Sequence, residues 1–235
     1  AASLNTVQHY KLDVGLLREG DKADFIVINH PDDFTILKTV IDGQTVFEHG
    51  VSLIQSVEEN AINQFACQQK NTADFSIEIN EAPSLIRVIE ALEGQLITRT
   101  FLAKPKIESN YIISDTGQDV LKLVVVNRYS NAPIAKAFIK HFGFTHGAIA
   151  STVAHDSHNI ICVGVDDESI CQAVNALIAC KGGIVVVDHD EQYVMPLPVA
   201  GLMSIARAEE VAAKYSSIDR QVKMLGCQLA APFMT

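Results

Sequence analysis

No stretch of this 235-residue chain approaches the roughly 20 apolar residues that cross a bilayer; its apolar segments, such as Leu121 to Val126 and Ile184 to Val187, fall far short. A basic-then-apolar leader is also missing, so the chain reads as soluble and unexported. No CxxC pair occurs among Cys67, Cys162, Cys171, Cys180 and Cys227, and their number is odd. That fits reduced thiols better than a disulfide framework and makes the cytoplasm the expected location. Basic residues are scarce, 18 against 28 acidic, for a formal net charge of −10. A broad positive field for nucleic acid or anionic membrane is thereby excluded, and a small ligand is expected. There is no GxGxxG, no P-loop lysine, no GxSxG elbow and no internal repeat. An initiator methionine is lacking too; a chain opening Ala1-Ala2-Ser3-Leu4-Asn5 is expected to be part of something longer.

What is present is an ordinary globular composition, 48% apolar and 20% charged, which excludes wholesale disorder. The length lies above the usual single-domain range of roughly 100–200 residues, so one large domain or two smaller ones is expected. A short helical pattern covers Leu4 to Leu12. Strand formers follow at Ala23 to Ile28, at Leu37 to Ile41 and, after the Asp42-Gly43 turn signal, at Thr45 to Phe47. Three short strands cannot bury one apolar face alone, so they need a partner sheet. From about Val51 to Asn80 the composition shifts to Gln, Asn, Glu and Ser, which marks a domain boundary. Beyond Pro83 the pattern turns β-rich, at Leu85 to Leu92, Gln95 to Leu102, Leu121 to Val126, Ala148 to Val153 and Ile160 to Val165. Asp166 or Asp167 can cap a helix through Ile170, Val174, Leu177 and Ile178, stopped by Gly182-Gly183. Ile184 to Val187 reads as a strand, and Arg207 to Leu225 as a second amphipathic helix ended by Gly226. The fold class expected is α+β.

The sharpest chemical signal is Ala154-His155-Asp156-Ser157-His158-Asn159, two imidazoles, a carboxylate and a carboxamide between two apolar segments. Imidazole and carboxylate suit Zn, Mn or Fe, and a neutral histidine can carry protons near pH 7. His155, Asp156, His158 and Asn159 are therefore the candidate site residues, for a substrate pocket or an accessory metal. The alternative is a polar turn whose Asp and Asn bond its own backbone. His141 and His146 lie shortly before this knot; His9, His30, His49 and His189 sit beside turns and are given no role. Met195-Pro196-Leu197-Pro198-Val199-Ala200-Gly201-Leu202-Met203-Ser204 reads as a rigid apolar loop, able to wall a pocket or simply to pack over the core.

Gly15-Leu16-Leu17-Arg18-Glu19-Gly20-Asp21-Lys22-Ala23-Asp24-Phe25-Ile26-Val27-Ile28, followed by Val40-Ile41-Asp42-Gly43, resembles the segment after the last barrel helix of amidohydrolase-superfamily enzymes, where the chain completes a small β-sandwich. The run from Gly147 to Ile160, then Gly182-Gly183, Pro196 to Ser204 and Pro232-Phe233-Met234-Thr235, is similar to the C-terminal domain of bacterial adenine deaminases. The resemblance implies residues 1–55 as the end of the amidohydrolase domain, 56–82 as a linker and 83–235 as a mixed α/β accessory domain. It also implies conversion of adenine and water to hypoxanthine and ammonia, as in purine salvage and adenine catabolism. Mn or Fe is expected in the intact enzyme, at a dinuclear centre whose ligands belong to the barrel. No catalytic residue is expected in this chain, and beyond the accessory site that His155, Asp156, His158 and Asn159 could form, no metal is assigned to it. Its expected partners are the barrel-containing remainder, adenine and further copies of itself, with neither nucleic acid nor membrane. The alternative is a non-catalytic purine-binding or assembly module of the same ancestry.

Overall fold

The strand formers expected at Ala23 to Ile28 do form a strand, Phe25–Ile28 (β1), which pairs antiparallel with Ile36–Ile41 (β2). The chain then reverses through Asp42-Gly43 into Gln44–Glu48 (β3) and Val51–Ser52 (β4), giving a sheet in the order β1-β2-β3-β4. A helix at Leu4–Tyr10 (α1) precedes them and ends on Lys11 in the left-handed region. These elements come from a computed structural model that describes residues 3–55, 61–95, 97–155 and 157–234. They form one of two units, residues 1–59 and 60–235. Asp24 explains the spacing of the opening motif. Its carboxylate accepts the Gly15 N–H at 2.6 Å on one oxygen and the Asp42 N–H at 2.6 Å on the other. One side chain thus ties the loop before β1 to the β2–β3 turn.

Those two donors, Asp42 first and Gly15 second, hold the Asp24 carboxyl below the usual carboxylate range. A depressed folded-state pKa contributes stability above the unfolded value of about 3.9 that is lost as pH falls through the folded one. The difference in urea midpoint of the first unit between wild type and Asp24→Ala is therefore expected to shrink from pH 7 to pH 3. A constant difference would mean that the two hydrogen bonds do not favour the charged form. Only Val40 among described residues 3–55 is a buried apolar residue, while Ile26, Ile36, Ile41 and Ile54 stay exposed.

In the second unit Ile86–Glu90 (β5) pairs antiparallel with Arg99–Ala103 (β6). A small hairpin of Lys106–Glu108 (β7) and Tyr111–Ile113 (β8) leads to Val120–Val126 (β9), Ala135–Lys140 (β10), Ala148–Ser151 (β11) and Ile160–Gly164 (β12). Helix Asp167–Ala179 (α2), the hairpin Gly183–Asp188 (β13) and Glu191–Pro196 (β14), and helix Ala208–Met224 (α3) complete the unit. The large sheet runs β14-β13-β11-β12-β9-β10-β5-β6, antiparallel except between β10 and β5.

Side chains alternate across a strand, so successive residues face opposite layers. Ala148, Ala150, Cys162, Val185 and Val187 point to one face, where Ile170, Val174 and Leu177 of α2 cover them. Ile149, Val163, Ile184 and Val186 point to the other, with Ile218, Val222 and Leu225 of α3. The continuous apolar runs in β11, β12 and β13 follow from burial on both sides. Helix α2 starts where the sequence predicts, with the Asp166 carboxylate accepting the Ser169 N–H at 2.7 Å.

The sequence reading of residues 56–82 as a linker meets a different arrangement over residues 61–82. Phe75, on a 3-10 turn at Thr72–Phe75, is wholly buried with Cys67 in the α2-side core. Lys70 and Asn175 exchange two hydrogen bonds of 2.8 Å, Lys70 N–H to Asn175 Oδ1 and Asn175 Nδ2–H to Lys70 O. Polar side chains of the segment add bonds of their own, Asn63 Nδ2–H to Lys181 O at 2.6 Å and the Thr72 hydroxyl to Glu168 Oε2 at 3.0 Å. No helix among the described residues is long and apolar enough to cross a membrane.

Candidate functional site

Strands β11 and β12 pair from Ala148↔Gly164 to Ser151↔Ile161, so residues 152–159 form their connection, the polar knot of the sequence. Two backbone bonds close it, Ser157 N–H to His155 O at 2.9 Å and His158 N–H to Ala154 O at 2.8 Å. Thr152 anchors the start of the knot. Its hydroxyl donates to Gly201 O at 2.6 Å and accepts the Gly183 N–H at 2.8 Å, while its own N–H donates to Gly183 O at 3.0 Å. One buried threonine thus joins the knot, the start of β13 and the proline-rich loop. Glycine is required where these meet: a Cβ on Gly182, at φ +110°, would stand 2.6 Å from Gly201 Cα.

Arg128, just after β9, is 3% exposed and holds the same junction from the other side. Its guanidinium donates to Ala200 O at 2.6 Å and to Tyr129 Oη at 2.9 Å, and lies over the Tyr129 ring at 4.7 Å. Its Nε has no hydrogen-bond partner among the described residues. Its backbone N–H donates to Asn159 Oδ1 at 3.4 Å, and its carbonyl accepts Ala66 N–H at 2.7 Å. The proline-rich loop is therefore fastened through Ala200 and Gly201 to two buried polar side chains. Its first residues, Met195 and Pro196, extend edge strand β14, where a missing N–H is tolerated.

The four sequence candidates do different things. Asn159 is committed to the Arg128 backbone. His158 sits at φ 49° with its Nδ1 buried and unpartnered among the described residues. His155 is exposed and borders a cavity of about 410 Å³, with Ser151, Gln95 and Thr98 as its other polar neighbours. Asp156 lies outside the described residues. The cavity floor is the α3-side face of the sheet, from Ile89, Leu123, Ile139, Ile149 and Val163, and Phe142 and Phe233 wall it. Its size falls within the roughly 300–1,000 Å³ of small-molecule sites, and an apolar lining with few polar groups is typical of them.

Sequence reading missed a second cluster, His146, Asp188 and His189, because its members meet only through the pairing of β11 with β13, which sets Ala148 opposite Val187. Spacing along the chain carries no sign of that pairing. It is the one group of three or more His, Cys, Asp or Glu side chains at metal-binding separation among the described residues. A dinuclear hydrolytic centre needs a larger ligand set, and described residues 3–55 offer none, so the residues present do not fit it. Thiol chemistry is disfavoured as well. All five cysteines are free, and burial is the leading cause that pushes each thiol upward, furthest for the fully buried Cys162.

Residues 95–235 match the family described as adenine deaminase C-terminal domain, and residues 1–46 match the amidohydrolase family. Adenine deaminase of Methanosarcina barkeri is 45% identical over 241 residues, covering 100% of this chain and 44% of that protein. Adenine deaminase of Borreliella burgdorferi is 44% identical, with 100% and 43% covered. That of Sulfurovum sp. is 46% identical, with 100% and 42% covered. The chain thus spans less than half the length of these relatives.

Proposed function

The chain belongs to the family of the adenine deaminase C-terminal domain, and from that premise we propose that it is the C-terminal portion of an enzyme hydrolysing adenine to hypoxanthine and ammonia in purine salvage. In that reaction water oxygen replaces the exocyclic amine at C6, and the amine leaves with a proton as ammonia. The metal, Mn or Fe by family resemblance, and its ligands belong in this reading to the barrel-containing remainder. The 235 residues alone are inactive. The observation that carries this reading is similarity over the whole of this chain to 44% of a protein named adenine deaminase, joined to the lack of a dinuclear ligand set among the described residues. The exposed apolar side chains Ile26, Ile36, Ile41 and Ile54 of the first unit support it, since half a sandwich needs the other half. A turnover assay on the purified chain supplied with Mn is expected to release no ammonia from adenine; measurable hydrolysis would overturn the assignment.

Within that enzyme His155, Asp156, His158 and Asn159 are proposed to line the adenine site or hold an accessory ion, with His155 as the member that touches ligand. His155→Ala in the full-length enzyme is expected to lower kcat/KM by about tenfold, about 1.4 kcal/mol of transition-state stabilisation. His158→Ala distinguishes the knot's two roles: unchanged turnover and metal content in both variants would make the knot an interdomain or subunit contact. A second reading, a non-catalytic purine-binding or assembly module, is favoured by one observation, the apolar cavity beside His155. Calorimetric binding of a purine by the isolated chain that is unchanged when a barrel-containing partner is added would favour this second reading. Homo-oligomer formation and a cytoplasmic location complete the proposal.

A further inference from the structure

We propose that His146, Asp188 and His189 bind one divalent transition-metal ion of the Zn²⁺ class at the β13–β14 turn. His146 stands two residues before β11, Asp188 ends β13 and His189 follows it in the turn. His146 Nε2 lies 3.0 Å from Asp188 Oδ1, and His189 Nε2 lies 3.7 Å from the same oxygen. Ligand atoms about 2.0–2.1 Å from a tetrahedral Zn²⁺ stand about 3.3–3.4 Å from one another, so the two separations bracket the required one.

The carboxylate oxygen carries the second observation. Asp188 Oδ1 is shut off from solvent and accepts no hydrogen bond among the described residues, although the His146 ring nitrogen is 3.0 Å away. A desolvated anionic oxygen without a donor costs free energy, and a cation between oxygen and nitrogen removes that cost. The other side of the His146 ring agrees. Nδ1 is 2.9 Å from Thr145 Oγ1, and that hydroxyl reaches Leu225 O at 3.3 Å. When the hydroxyl donates to Leu225 O, it accepts the Nδ1 proton and leaves the Nε2 lone pair facing Asp188. Two lone pairs then oppose each other unless a cation lies between them, either a proton that makes His146 and Asp188 an ion pair or a metal ion that also engages His189. An outer hydrogen bond that sets the tautomer in this way is what metal-ligating histidines generally have.

The two rings stack at 4.7 Å with 10° between their planes, near-parallel planes that cannot both aim a nitrogen lone pair at one tetrahedral ion. Binding therefore requires the His189 ring to turn, and its side chain is 78% exposed and free to do so. His146 and Asp188 form the fixed pair, His189 closes on the ion, and water completes the coordination. None of the three residues lines the cavity.

The test uses the 235-residue chain, stripped with a chelator and titrated with Zn²⁺ against a chromogenic competitor. One Zn²⁺ per chain is expected, with affinity lowered at least about tenfold by His146→Ala, Asp188→Asn and His189→Ala. The exposed His189 guards against misfolding as the cause, and circular dichroism checks the other two. Co²⁺ in place of Zn²⁺ should give visible absorption that His146→Ala removes. Binding below one equivalent in the wild type, or binding that survives His146→Ala and His189→Ala, overturns the proposal.

Discussion

Asp167→Ala is expected to lower the unfolding free energy of the second unit by about 3–5 kcal/mol, the range for breaking a buried ion pair from one side. Lys122, in the middle of β9, is 2% exposed and points to the α2 face. Its ammonium donates to Phe75 O at 3.1 Å and pairs with the Asp167 carboxylate in the first turn of α2. With the carboxylate gone, a buried ammonium keeps one neutral acceptor and faces the positive end of a helix. The companion variant makes the cause explicit. Lys122→Met in the Asp167→Ala background removes the stranded charge and should recover most of the loss, since apolar replacements of buried pairs are often neutral or stabilising. Urea unfolding at pH 7 measures both. A loss within about 0.5 kcal/mol for Asp167→Ala, the range of ordinary surface changes, would mean that Lys122 is hydrated.

Phe75→Ala is expected to cost about 3–5 kcal/mol through the cavity it leaves in the α2-side core. The ring is fully buried in the core that holds Ile170 and Val174, and the segment around it is bonded to α2 by Lys70, Asn175 and the Thr72–Glu168 hydrogen bond of 3.0 Å. This variant tests domain organisation as well as stability. If residues 61–82 acted as a free linker, the substitution would change the urea midpoint of the second unit by no more than an exposed change does. A full-sized loss makes the segment a structural part of that unit, which is how its hydrogen bonds place it.

The helices and most strands of both units were legible because their signals are local. Asp166 caps α2, the stripe of Ile218, Val222 and Leu225 defines the buried side of α3, and Asp42-Gly43 turns β2 into β3. Strands β4, β7 and β8 escaped because they are two or three residues long, and β10 and β14 because Ala135 to Lys140 and Glu191 to Pro196 mix charged and polar residues into short extended runs. Their pairing to β9 and β13 supplies what composition does not. The polar knot was recognised as chemistry from its residue types, but its division of labour was not. Asn159 serves the Arg128 backbone and His155 the cavity because of strands and loops far away in sequence.

From its composition and local patterns alone, the sequence determined the α+β class, the two helices of the larger unit, the lack of long apolar spans, and the motifs carrying the family resemblance. Only the tertiary structure decided that Cys67 and Phe75 enter a core, that Lys122 and Arg128 are buried cations, and that His146 meets Asp188 and His189. The physical reason is the same in each case. Capping, turn chemistry and periodicity act between near neighbours, whereas burial and convergence of side chains depend on which strands pair, here Ala148 with Val187 across the large sheet.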